Sequence, residues 1–215
     1  MKIRVLDIAY ETMADGPGLR TSIYCAGCAH ACPGCHNPQS WDFKGGDEMT
    51  VQQLLDIIKE DEFADVTFSG GDPLYRVEGF TELSRRIKEE TGKNIWCYTG
   101  FTYEEVLADE RLSQILPYID TLVEGPFIME LRDTDLPFRG SSNQRIIHLR
   151  GLLVYHAVLK FCKFGAVPSA GCSHKIAGDA LKFVYLGTLA MWTFFQICIC
   201  ILIAAVHAAV AVVVD

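Results

Sequence analysis

Two things are missing from the first 150 residues of this 215-residue chain: an export signal and a surplus of positive charge. Met1-Lys-Ile-Arg-Val-Leu-Asp-Ile8 carries charges where an export signal needs an unbroken apolar core, so the expected location is the cytoplasm. Residues 1–150 hold 15 Lys/Arg against 25 Asp/Glu, a net of −10, and the whole chain has a pI near 5.2. That balance argues against nucleic acid as the main partner. Without an export signal, disulfides are a poor explanation for nine cysteines. Half of the residues are apolar, which permits a sizeable core, and the length suits one domain or one domain with an appendage.

What is present is a dense cysteine stretch, Tyr24-Cys-Ala-Gly-Cys-Ala-His-Ala-Cys-Pro-Gly-Cys-His-Asn37. Cys28, Cys32 and Cys35 form C-x3-C-x2-C, with Gly27, Pro33 and Gly34 bending the chain between them. Thiolates this close can converge on one soft metal centre. Three ligands suit an iron–sulfur cluster with one iron left without a protein thiolate, where chemistry can happen. Adding Cys25 gives C-x2-C-x3-C-x2-C, which leaves a closed four-cysteine cluster or a structural zinc site open. Zinc sites usually place a longer loop between their cysteine pairs. Cys25 ends the apolar run from Thr21 and reads as a buried strand residue, outside the ligand set. His30, inside the loop, reads as solvent-facing rather than as a ligand.

Asp15-Gly-Pro-Gly18 is a turn signal ahead of a first strand at about Thr21 to Cys25. Thr50-Val-Gln-Gln53 is a capping box, and Val51, Leu54, Leu55 and Ile58 predict a helix to about Glu60. Asp65-Val-Thr-Phe68 is the next strand, running into Ser69-Gly-Gly-Asp-Pro-Leu74. Two glycines at a strand end admit close approach of a ligand, and Asp72 offers an acceptor for its ammonium group. The same turn equally suits Asp72 as an N-cap with Pro73 at the first helical position. Phe80, Leu83 and Ile87 mark a second helix closed near Gly92. Strands follow at Asn94–Tyr98 and Ile119–Val123, with a capped helix from Thr102 between them, and Gln144–Ile147 begins another strand. Met129–Ser142 reads as a polar surface loop. Alternating strands and helices predict an α/β fold, an incomplete parallel (β/α) barrel of about five or six units, shorter than the roughly 250 residues of a full one.

The cysteine loop and the Gly-Gly-acid turn thus fall on consecutive strand ends, and that conjunction resembles the radical S-adenosylmethionine enzymes. Within them, Asp15–Arg20, Gly27–Pro38, Phe68–Leu74, Tyr98-Thr-Gly100 and Arg139-Gly-Ser-Ser-Asn-Gln144 resemble the activating proteins of anaerobic ribonucleoside-triphosphate reductase. The resemblance implies a [4Fe–4S] cluster on Cys28, Cys32 and Cys35, with S-adenosylmethionine on the fourth iron. It implies that Gly70, Gly71 and Asp72 hold the methionine end of that cofactor, and that Gly34, Cys35 and His36 line it. It implies reductive cleavage of the cofactor and a glycyl radical on the reductase, with a low-potential one-electron donor as second partner. Many radical S-adenosylmethionine enzymes carry an aromatic before the last cysteine. Gly34 stands there in this chain, as the reductase activases allow.

The resemblance covers residues 1–147, the expected activase domain. Family members normally stop soon after the Ser-Ser-Asn-Gln-Arg segment, whereas 148–215 changes character. Residues 151–215 carry four Lys and two Asp, a net of +2, and 183–214 holds no charged side chain. That run exceeds the roughly 18 residues of a transmembrane candidate, with Lys175 and Lys182 ahead of it. Cys162, Cys172, Cys198 and Cys200 show no metal-ligand spacing, and an activase of this kind needs no membrane. A shifted reading frame or an assembly error therefore explains the tail better than a membrane helix.

Overall fold

The computed structural model describes residues 1–149. The expected tail from 148, its apolar run at 183–214 included, lies outside the described residues apart from His148 and Leu149.

Seven strands form one sheet: β1 (Lys2–Thr12), β2 (Arg20–Cys25), β3 (Asp47–Thr50), β4 (Asp65–Gly70), β5 (Ile95–Tyr98), β6 (Thr121–Glu124) and β7 (Arg145–His148). Their order is β3-β1-β2-β4-β5-β6-β7. Only β2, β4, β5 and β6 run parallel; β1, β3 and β7 pair antiparallel at the two sides. The expected parallel barrel is therefore replaced by a mixed sheet with a parallel centre. The reason lies in the connections. A parallel crossover takes a dozen or more residues, usually with a helix. Residues 13–19 between β1 and β2 are too few, and the segment between β6 and β7 contains only a 3₁₀ turn at Met129–Leu131. Both therefore return antiparallel.

The helices follow their sequence signals more closely. In α1 (Val51–Glu60) the Thr50 hydroxyl accepts from Gln53 N–H while the Gln53 side chain accepts from Thr50 N–H, closing the capping box. Val51, Leu54, Leu55 and Ile58 are its buried face. In α2 (Val77–Glu90), Phe80, Leu83 and Ile87 are buried, and Phe80 lies against Phe68 of β4 at 4.9 Å between ring centres. Each such side chain contributes roughly 1.5–3 kcal/mol on full burial. After Thr102 the helical stretch divides into α3 (Tyr103–Ala108) and α4 (Glu110–Ser113), because Asp109 caps the second by accepting from the Arg111 and Leu112 amides.

Strand register places the site. Ile23, Phe68, Cys97 and Leu122 are paired neighbours across the four parallel strands, and all are fully buried. Successive side chains of a strand face opposite sides. The residues that follow, Tyr24, Ser69 and Tyr98, therefore turn away from that row, and they line a cavity. Beneath it Arg20 is almost wholly buried, donating from Nε to Thr67 Oγ1 and from Nη2 to Val66 O, with its guanidinium 5.5 Å from the Trp96 ring centre. Burial lowers its pKa, against the pull of Asp65.

Candidate functional site: a three-thiol loop beside a cavity

The cysteine loop leaves β2 at its C-terminal end. Cys25 is the last residue of that strand and fully buried, and burial pushes its thiol pKa far up. It keeps its strand role. Cys28, Cys32 and Cys35 are free thiols and partly exposed. Burial raises the Cys28 pKa, while the backbones of His30 and Ala31 hydrogen-bond its sulfur and pull it down. Asn37 N–H donates to Cys35 Sγ at 3.4 Å, and Cys35 N–H to Cys32 O at 3.1 Å. Amide donors aimed at sulfur stabilise thiolate and tune an iron–sulfur centre. Three soft donors in one tight loop, Cys35 supported by an amide in this way, fit a cluster. Among the described residues no three His, Cys, Asp or Glu side chains converge on a single-ion site. A cubane takes its thiolates at separate corners and asks for a wider spread.

The Gly-Gly-Asp turn presses against this loop. Gly71 N–H donates to Cys25 O at 2.7 Å and Asp72 N–H to Gly27 O at 3.0 Å. A Cβ at Gly70 would stand 2.5 Å from the Cys25 nitrogen, and one at Gly71 2.7 Å from Gly27 O. Gly70 also has φ of +99°, a region other residues enter only with strain. The first demand on these glycines thus comes from the protein's own backbone. Asp72 is 1% exposed. Its Oδ1 accepts from Leu74 N–H, and Oδ2 accepts from Thr99 Oγ1, Gly100 N–H and His30 Nε2, each at 2.9 Å. Asp72 is an N-cap, as the turn chemistry alone suggested, for the 3₁₀ turn Pro73–Arg76. His30 differs from expectation: it is packed against Phe101 and Tyr75 rather than facing solvent.

A cavity of about 830 Å³ opens beside the loop. Cys35, His36 and Gly70 line it, whereas Cys28, Cys32, Gly71 and Asp72 are not among its lining residues and Gly34 is exposed next to Met129. The structure adds wall residues to which the sequence assigned no role: Asp7, Asp15, Tyr24, Ser69, Tyr98, Phe127, Phe138 and Arg139. Tyr24 Oη donates to Asp15 Oδ2. Burial raises both the Tyr24 and Tyr98 pKa values, with the Asp15 bond adding to the first. Both phenols therefore stay protonated donors at neutral pH. Met129–Ser142 is more than a surface loop, since it closes one side of this cavity. Gln144 Oε1 accepts from Gly140 and Ser141 N–H, its Nε2 donates to Gly125 O, and Arg139 Nη1 donates to Gln144 O. Arg139 Nε is buried with no protein partner. A cavity of this size, with aromatic walls and convergent polar groups, suits a small organic ligand.

Comparison with known proteins agrees with the thiol loop. Residues 14–147 match the family described as a 4Fe-4S single cluster domain. The anaerobic ribonucleoside-triphosphate reductase-activating protein of Haemophilus influenzae is 41% identical over 142 residues, covering 62% of this chain and 90% of that protein. Its counterpart in Escherichia coli K12 is 36% identical over 146 residues, or 64% and 94% of the two chains. The one from Enterobacteria phage T4 is 32% identical over 138 residues, or 61% and 85%.

Proposed function

Because this chain belongs to the family of anaerobic ribonucleoside-triphosphate reductase-activating proteins, with their 4Fe-4S domain, we propose that it is the activating enzyme of such a reductase and uses S-adenosylmethionine as its cofactor. The observation that carries the proposal is the three-thiol loop bordering, through Cys35 and His36, a cavity large enough for a small organic cofactor. Cys28, Cys32 and Cys35 would hold a [4Fe–4S] cluster. When bound, that cluster supplies single electrons at low potential for cleaving S-adenosylmethionine, the step that ends in a glycyl radical on the reductase.

The chain's own residues orient and enclose the cofactor. Cys35, His36 and Gly70 are assigned direct contact with it, and Gly34, at φ +74°, shapes the turn that presents Cys35. Gly71 and Asp72 complete the set from behind, fixing the backbone on which Gly70 and the cysteine loop stand. Tyr98 and Arg139 offer hydrogen-bond donors to its polar groups, Tyr24 is held in the wall by its bond to Asp15, and Phe127 and Phe138 limit water. A low-potential one-electron donor is the second partner. Cys25 weighs against a closed four-thiolate cluster or a zinc site, because its sulfur is buried at the end of a paired strand. Activation of a different glycyl-radical enzyme is the remaining alternative, and the relatives' names favour the reductase.

The test is anaerobic reconstitution with iron and sulfide, reduction, and assay of 5′-deoxyadenosine from S-adenosylmethionine with and without the reductase. Cleavage coupled to reductase activation is expected. A fully loaded, reduced protein that forms no 5′-deoxyadenosine overturns the proposal.

A further inference from the structure

His30 sits midway between Cys28 and Cys32, yet its ring belongs to the far side of the loop. Its Nε2 lies 2.9 Å from Asp72 Oδ2. That oxygen already accepts from Thr99 Oγ1 and Gly100 N–H, and a carboxylate only accepts, so Nε2 carries the proton and donates. The ring meets Phe101 edge-on at 4.6 Å and Tyr75 at 5.4 Å between centres. A Cβ at Gly100 would stand 2.5 Å from the ring, so the third face is open only because residue 100 has no side chain. Within the loop, Cys35 N–H donates to Cys32 O at 3.1 Å and Asn37 N–H to Cys35 Sγ at 3.4 Å, so the segment His30 anchors is tied on to the third thiol. One histidine therefore joins the loop carrying the thiols to the turn after β4 and the segment after β5.

We propose that His30 is a positioning residue: through the buried Asp72 carboxylate it fixes the orientation of the Cys28–Cys32 segment, and with it where the Cys28 and Cys32 sulfurs stand. It binds no metal itself. Asp72 is the junction, since its two oxygens gather donors from the cysteine loop, from its own 3₁₀ turn and from Thr99-Gly100. Groups that orient metal ligands in this way typically change affinity or activity by roughly 10–100-fold when removed. This inference rests on the cluster assignment above, and its readout does not depend on cofactor cleavage.

The test compares wild type, His30→Ala and His30→Gln in the full chain after anaerobic iron–sulfide loading. Gln retains a donor at similar reach; Ala retains neither donor nor ring. Iron content should match wild type in both variants, because the three thiols remain. The electron paramagnetic resonance spectrum and midpoint potential of the reduced cluster should shift in His30→Ala and return toward wild type in His30→Gln. Activity should fall by about tenfold or more in His30→Ala. A His30→Ala spectrum and potential identical to wild type overturn the positioning role. So does an equal change in both variants, which points to lost packing alone. If His30→Ala does not fold, Phe101→Leu serves: it removes the edge contact and leaves the Asp72 bond, so an unchanged spectrum is expected and a shifted one contradicts the role of that bond. Wild type that binds the cluster yet cleaves no S-adenosylmethionine defeats the functional proposal while leaving this comparison readable.

Discussion

At the scale of single residues, burial separates four neighbouring cysteines into two kinds. Cys25 has its thiol inside the sheet, with a pKa raised by burial, whereas Cys28, Cys32 and Cys35 reach partly into solvent. A thiolate is the metal ligand, and a thiol held protonated by an apolar surround is inert. Replacement of Cys25 by Ser should leave the iron–sulfur content of the reconstituted protein unchanged. Replacement of Cys28, Cys32 or Cys35 by Ser should each deplete it. Iron and sulfide analysis with the visible absorption spectrum checks this, and loss of the cluster in Cys25→Ser contradicts the three-ligand assignment. These three candidates were legible in the sequence because C-x3-C-x2-C is a local pattern. Tyr24 and Tyr98 were not legible as cavity residues, because their common face depends on which strands pair and in which register.

Among the elements, the junction of β2 and β4 is where fold and site meet. Gly70 ends β4, pairs with Cys25, and has no room for a side chain beside the Cys25 nitrogen. Gly70→Ala should destabilise the protein by about 1–3 kcal/mol, since it adds both strain at positive φ and a backbone clash. Denaturant unfolding measures this, and an unchanged midpoint contradicts the close approach. The helices were readable from local signals, namely the Thr50 and Thr102 capping boxes and apolar residues at helical spacing. The edges of the sheet were not. In β3 only Met49 is apolar; its backbone pairs with β1 from Lys2↔Thr50 to Val5↔Asp47, and Glu48 meets both Lys2 and Arg4. Such a strand owes its conformation to its neighbour. No strand is read ahead of Thr21 in the sequence, so β1 is missed: Lys2-Ile-Arg-Val5 alternates only briefly, and irregularities between Val5 and Asp7 and between Ala9 and Thr12 break the period further on. Strand direction was the other hidden property, since a count of strands and helices carries no sign for β7.

For the whole molecule, similarity and composition divide the chain at nearly the same place. The family match ends at residue 147, and the Haemophilus influenzae relative aligns over 142 residues, 90% of its own length. Beyond that point the acidic balance of residues 1–150 disappears. We propose that 148–215 arises from a shifted reading frame. Resequencing the coding DNA should show the shift near codon 148, and an intact frame together with a full-length product in cells contradicts it. Among the described residues no helix is long and apolar enough to cross a membrane.

The most direct measurement is the electron paramagnetic resonance spectrum of the reduced, cluster-loaded full chain before and after addition of S-adenosylmethionine. If Cys28, Cys32 and Cys35 leave one iron open beside the cavity of Cys35, His36 and Gly70, the signal must change on addition. A spectrum that the cofactor leaves untouched, on protein with full iron content, contradicts the account.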